Sequence, residues 1–327
     1  MKLATLDDGT RDGCLVLVSR DLGAILACDD VAGTLQEALE DWDRVSPLLA
    51  AMAEMLDDGG AVGARPFDAG AMKAPLPRAW QWLDGSAFST HGQLMQLAYD
   101  LPPVPSDIPL MYQGLSHRFA AGHEDMVFPS AADGIDFEAE LAVIVDDVPQ
   151  GVSSEEALGH IRLVMLVNDW SLRVLGAAEM RTGFGWVQGK PACSAAPVAV
   201  TPDELGDRWK DGRVHLPMMV HYQRGRFGEA DAGCMDFGFH ELIAHAARTR
   251  ALCAGTIIGS GTISNPGYNV VGSSCIAERR AIEKIERGAP LTPFMQDGET
   301  VRIEVRQRRG SLFGAIDQRV SVRPVEG

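Results

Sequence analysis

Over residues 1–30 short apolar runs alternate with turn residues: Met1–Leu6, Cys14–Ser19 and Ala24–Cys28 are parted by Asp8-Gly9, Asp12-Gly13 and Gly23. That punctuation predicts a small β meander. From Leu35 the apolar positions change to helical spacing, through Leu39, Trp42, Val45, Leu49, Met52 and Leu56. A helix over 35–57 is predicted, opened by the capping pair Thr34/Glu37 and stopped at Asp57-Asp58-Gly59-Gly60. Pro47 is expected to break or kink it. Ala74-Pro75-Leu76-Pro77 reads as a linker, which divides the chain into a small N-terminal domain, 1–75, and a larger one, 76–327.

Beyond the linker the pattern is first irregular and then strongly β. Residues 80–130 are proline-rich and read as loops carrying Asp84, His91, Tyr112, His117 and His123. Asp136–Val145 reads as one strand, apolar on both faces towards its end. Ser153/Glu156 is a second capping box, for a short helix reaching about His160. Strands are predicted at 161–167, 214–222, from 226, around 256–263, and near 299–306, 311–315 and 319–323, with one more helix over 240–252. The fold class is α+β, mainly β.

The 327 residues carry a net charge of −16, which disfavours nucleic-acid and anionic-membrane partners. No apolar run approaches a membrane span and the N-terminus has no basic-then-apolar segment, so a cytoplasmic protein is expected. The six cysteines (14, 28, 193, 234, 253, 275) form no CxxC pair and read as free thiols.

Candidate chemistry sits where charges fall inside apolar runs. In the 136–145 strand Glu138 and Glu140 share a face, two residue rises or roughly 7 Å apart. Two buried carboxylates so close call for a positive counterpart, for which a divalent cation with oxygen ligands is suited. A solvated strand end is the other reading. Asp169 follows a buried strand directly and is either a ligand aimed into a shared cleft or the cap of the next turn. Lys190 stands in a tight frame, Gln188-Gly189-Lys190-Pro191. The turn Gly259-Ser260-Gly261-Thr262-Ile263-Ser264-Asn265-Pro266 is neither a P-loop nor a dinucleotide fingerprint.

Taken together, Asp136–Leu141, Val167–Arg173, Gly189-Lys190, Gly259–Pro266 and Phe294–Val301 resemble the fumarylacetoacetate hydrolase family, in the family's order over about 77–327. Residues 1–75 resemble the small N-terminal β domain of many members. The resemblance implies a catalytic domain of mixed, rolled β-sheets, a homodimer, and Mg²⁺, sometimes Ca²⁺ or Mn²⁺. It implies Glu138, Glu140 and Asp169 as ligands, with Asp84 as the upstream aspartate and His91, seven residues on, as the catalytic histidine. Glu278 matches the catalytic glutamate, and Tyr112, Arg173, Lys190 and Thr262 match positions that hold the substrate or its oxyanion. His91 is followed by Gln93 and Gln96 rather than by an arginine that would grip a substrate carboxylate, a departure from the fumarylacetoacetate-specific pattern.

The reaction so implied is hydrolysis of a C–C bond in a β-diketo acid, fumarylacetoacetate first. His91, oriented by Glu278, would take a proton from water, and Lys190 would stabilise the developing oxyanion. Alternatives on the same site are acylpyruvate hydrolysis and an oxaloacetate decarboxylase-type reaction. A non-catalytic metal-binding scaffold is the reading from another class.

Overall fold

The computed structural model describes residues 1–103, 107–307 and 310–324. A twelve-stranded mixed sheet runs, in order, through 65–66, 24–27, 14–18, 2–6, 198–200, 161–168, 139–145, 257–259, 82–85 and 111–113, with 194–195 and 120–121 attached to its side. A five-stranded sheet, 225–231, 217–222, 300–307, 310–322 and 126–128, packs beside it. The first strand joins the two halves of the chain, Lys2–Ala4 pairing antiparallel with Val198–Val200.

The strand Ala139–Val145 is buried at every position, and its two faces feed two cores. Leu141, Val143 and Val145 join Phe137, Leu166, Trp170, Phe239 and Ile258 on one side. Ala142 and Ile144 join Leu163, Met165, Trp42 and Leu49 on the other. Alternation on a pleated strand explains the division, and each large side chain so buried contributes about 1.5–3 kcal/mol. The helices Leu35–Glu40 and Trp42–Asp57 cover the second core.

Several sequence expectations need correction. The 35–57 helix is two helices, broken at Asp41 (φ −135°, ψ 41°), while Pro47 lies inside the second one without ending it. Burial of Val45, Leu49, Ala53 and Leu56 holds that helix through the proline. Thr34 caps the first helix as expected, but Glu37 returns its carboxylate to the N–H of Gly33 rather than to that of Thr34. The 136–145 strand is two pieces, Ile135–Asp136 and Ala139–Val145, because Phe137 and Glu138 leave the ladder. The 80–130 stretch holds the buried strand Trp82–Gly85 and the helix Ser89–Tyr99. The 240–252 helix spans Phe239–Ala246, and the last two expected strands are one, Gly310–Val322. Among the described residues no helix is long and apolar enough to cross a membrane.

Candidate active site

Three strands and a strand end bring carboxylates together. Asp84 pairs with Gly259 in the parallel ladder of 82–85 and 257–259. Gly259 pairs with Ala142 on its other side, two residues from Glu140. A Cβ at Gly259 would lie 2.2 Å from Asp84 Oδ1, so only glycine lets the Asp84 side chain cross above this strand. Asp169 follows the strand Ile161–Asn168, whose Asn168 pairs with Ala139. Carboxylate oxygens of Asp84, Glu140 and Asp169, one from each, all lie within 4.8 Å of one another, and all three residues are buried.

The surroundings of these carboxylates differ. Asp84 accepts the N–H of Gly261 at 3.2 Å. Asp169 accepts from the Tyr112 hydroxyl at 2.6 Å, from the Cys193 thiol at 2.9 Å, and from Lys190. Glu140 is fully buried, and neither of its oxygens has a hydrogen-bond partner. Glu138 stands apart from the group of three. Its carboxylate is taken by Lys190 at 2.7 Å, by the hydroxyls of Ser171 and Thr262, and by Arg173, whose Nη2 lies 3.3 Å away. Glu138 and Glu140 thus meet different partners: two cations reach Glu138, while the neighbours of Glu140 are carboxylates.

Electrostatics follow these contacts. Burial, with Asp169 and Glu138 nearby, pushes the Asp84 carboxyl well above its ordinary range; burial with Asp84 and Asp169 does the same to Glu140. Burial opposes ionisation of Glu138 too, but Arg173 and Lys190 outweigh it and hold that carboxyl well below the usual range. Burial would lower Lys190, yet Asp169 and Glu138 keep its ammonium charged. The Tyr112 phenol and Cys193 thiol are pushed up, by burial first and Asp169 second.

A second pair forms where two helices meet. Leu94 and Ala98 of Ser89–Tyr99 pack on Ala281 and Ile282 of Ile276–Arg287. Across this contact His91 Nδ1 lies 3.0 Å from Oε2 of the fully buried Glu278. The second helix starts beside the acidic group, since Glu138 and Cys275 form an isolated β-bridge. The Cys275 sulfur caps the N–H of Glu278 at 3.3 Å.

The donor set fits a hard divalent cation. Glu140 is an unpaired buried carboxylate whose two nearest partners are also carboxylates, an arrangement that only added positive charge or protons can relieve. The structure brings Asp84, Glu140 and Asp169 together, sets Glu138, Lys190, Tyr112, Arg173 and Thr262 around them, and joins His91 to Glu278. Sequence reasoning missed Ser171, Cys193 and Asp136. Ser171 and Asp136 lie within stretches already singled out, and Cys193 is three residues from Lys190.

Fold and acidic group define a class of proteins, and comparison with known proteins names it. The profile "Fumarylacetoacetate (FAA) hydrolase C-terminal" matches residues 81–321, and "Fumarylacetoacetase N-terminal domain 2" matches 1–78. The chain belongs to the fumarylacetoacetate hydrolase family. It is 28% identical over 163 residues to 2,4-didehydro-3-deoxy-L-rhamnonate hydrolase of Sphingomonas sp. (strain SKA58), covering 49% of this chain and 54% of that protein. It is 25% identical over 208 residues to the mitochondrial oxaloacetate tautomerase FAHD2B of Bos taurus, covering 63% of this chain and 58% of that one. The chain thus spans little more than half the length of these curated relatives. Among solved structures, a putative HpcE protein from Mycobacterium smegmatis superposes with a TM-score of 0.71 at 18% identity, over 98% of this chain and 99% of that one. Maleylpyruvate hydrolase from Sphingobium sp. SYK-6, in complex with manganese(II) ion and pyruvate, superposes with a TM-score of 0.64 at 16% identity, over 98% and 99%. These likenesses show the fold.

Proposed function

We propose that the chain is a divalent-metal-dependent hydrolase that cleaves a C–C bond in a β-diketo acid, with fumarylacetoacetate the first substrate to test and acylpyruvates the next. The observation that carries this reading is the His91–Glu278 pair at 3.0 Å, with Glu278 on a helix that begins beside Glu138. Asp84, Glu140 and Asp169 would hold the cation, Mg²⁺ or Mn²⁺, and Glu138 would complete the set or keep Lys190 and Arg173 in place. The bound cation would supply Lewis-acid polarisation of the ketone oxygens of a diketo acid.

The chain's own residues do the rest. With Nδ1 held by Glu278, His91 presents Nε2 to take a proton from water, and the buried carboxylate stabilises the imidazolium that results. Lys190, fixed between Glu138 and Asp169, places a permanent positive charge where negative charge develops on the attacked carbonyl. Arg173, its Nη2 3.3 Å from Glu138 and its Nε on Asp136, adds a second fixed positive charge beside Lys190. Residues 1–75 would be a supporting domain and 76–327 the catalytic one, in a cytoplasmic homodimer.

The test follows ultraviolet loss of fumarylacetoacetate, acetylpyruvate and oxaloacetate, after EDTA and then after added Mg²⁺ or Mn²⁺. Metal-restored loss of a diketone with two acids as products supports hydrolysis. A second reading, keto–enol chemistry or decarboxylation of oxaloacetate, is favoured by the likeness to an oxaloacetate tautomerase. It wins if oxaloacetate alone responds. No response to any of the three sinks the diketo-acid reading and favours a scaffold.

A further inference from the structure

Asp136 is fully buried at the break between the two pieces of the central strand, and three donors converge on it. Its Oδ1 accepts the N–H of Ile276 at 2.7 Å, and its Oδ2 accepts the N–H of Ala277 at 2.9 Å. Oδ2 also accepts from Nε of Arg173 at 2.8 Å. Ile276 and Ala277 are the first two residues of the helix whose third is Glu278. Arg173 in turn turns its Nη2 towards Glu138, and its own N–H is tied to the carbonyl of Gly134 at 2.9 Å. One carboxylate thereby fixes the helix end from which Glu278 reaches His91 and the guanidinium beside Glu138. An N-cap role alone would need no arginine, and an ion pair alone would need no helix.

We propose that Asp136 is a positioning residue that sets two groups at once, the Glu278 carboxylate behind His91 and the Arg173 guanidinium beside Glu138. It touches neither the substrate nor the proton. Its effect on turnover rests on the hydrolase reading above, whereas its effect on the His91–Glu278 contact does not. A helix N-terminus released by about 1 Å would carry Glu278 with it, and misplacement of that size costs up to about 100-fold in rate.

The experiment uses the full-length chain carrying Asp136→Asn, which keeps the size and removes the charge and one acceptor. Three quantities are read beside the melting temperature: the imidazole N–H proton resonance of His91 by NMR, identified by its absence in His91→Gln; the affinity for Mn²⁺; and kcat and KM for the substrate that the wild type consumes. The expected result is a shifted or broadened His91 resonance, Mn²⁺ affinity within about twofold, kcat down by about tenfold or more, and KM raised. Adding Arg173→Gln to Asp136→Asn should raise KM no further than Arg173→Gln alone. A folded Asp136→Asn protein with a lower melting temperature but an unchanged His91 resonance, kcat and KM overturns the proposal, because a purely structural role predicts that. If the wild type consumes no tested substrate the hydrolase reading fails, and the resonance still decides the role of Asp136. Should Asp136→Asn not fold, Asp136→Glu keeps the charge, lengthens the side chain by one methylene, and is judged on the same readouts.

Discussion

Loading the acidic group with a divalent cation is expected to expel protons wherever Asp84 and Glu140 still hold them. Carboxylate oxygens of Asp84, Glu140 and Asp169, one from each, lie within 4.8 Å of one another. At that distance and an effective dielectric constant of about 20, two ionised carboxylates repel by about 3.5 kcal/mol. Lys190 offsets part of this at Asp169, but nothing positive touches Glu140. Burial adds to the repulsion, so Asp84 and Glu140 hold protons at pH values where exposed carboxylates have lost theirs. A cation takes only the ionised forms, so the protons must leave as it binds.

The sign for the metal-free protein follows from the same shifts. Both folded carboxyls are raised above their unfolded values, so the stability that they contribute is complete below about pH 4. It is lost as pH rises through the raised folded values, by about 1.4 kcal/mol per group per pH unit within that window. Titration calorimetry with Mn²⁺ in two buffers of different protonation enthalpy counts the protons released. The count should approach two while both groups are protonated and fall as either ionises, with affinity gaining up to about tenfold per pH unit for each proton. Glu140→Gln should lower the count by one and weaken binding. Identical binding heats in the two buffers, with an affinity that does not rise with pH above the ordinary carboxylate range, would refute the account of the raised carboxyls.

Other substitutions separate the remaining parts. His91→Gln should lower turnover by about 10²–10⁴ with an unchanged Mn²⁺ isotherm, read by steady-state kinetics and calorimetry. Lys190→Met, at a side chain only 10% exposed, leaves Glu138 and Asp169 without their shared ammonium. It should cost about 3 kcal/mol in urea unfolding and about 10²–10³ in turnover. Gly259→Ala would place a Cβ 2.2 Å from Asp84 Oδ1 and 2.3 Å from the Trp82 ring. Asp84 must then shift, and Mn²⁺ affinity should fall about 10–100-fold in a protein that still folds.

The strand at 161–167, the apolar end of the 136–145 strand, the capping box at Ser153 and Glu156, and the small meander were all legible in the sequence, because each follows from local pattern. The helix bearing His91 was not. Only Leu94 and Ala98 are buried in it, Gly92 lies inside it, and Pro102 and Pro103 soon after give the stretch the look of a loop. Its stability comes from packing on residues 281 and 282, which no local pattern displays. Acidic positions that would converge could be named from motifs, but the different environment of Glu138 could not. That depends on Lys190, 52 residues away, and on a two-residue break in the strand. Pro47 does not end its helix for the same reason: an amphipathic helix pressed on a core can tolerate a proline that would end an isolated one.

The pairing of Lys2–Ala4 with Val198–Val200 makes the first strand a seal. Without it, the backbone of 198–200 would lie bare along one side and invite strands of other molecules to dock. Lys2 strengthens the closure by donating from Nζ to the carbonyl of Leu312, 310 residues later. The segments matched by the two family profiles meet between residues 78 and 81, yet they share one unbroken sheet. They are separable in sequence but welded in the fold, so swapping the leading segment between relatives would succeed only where this seam matches.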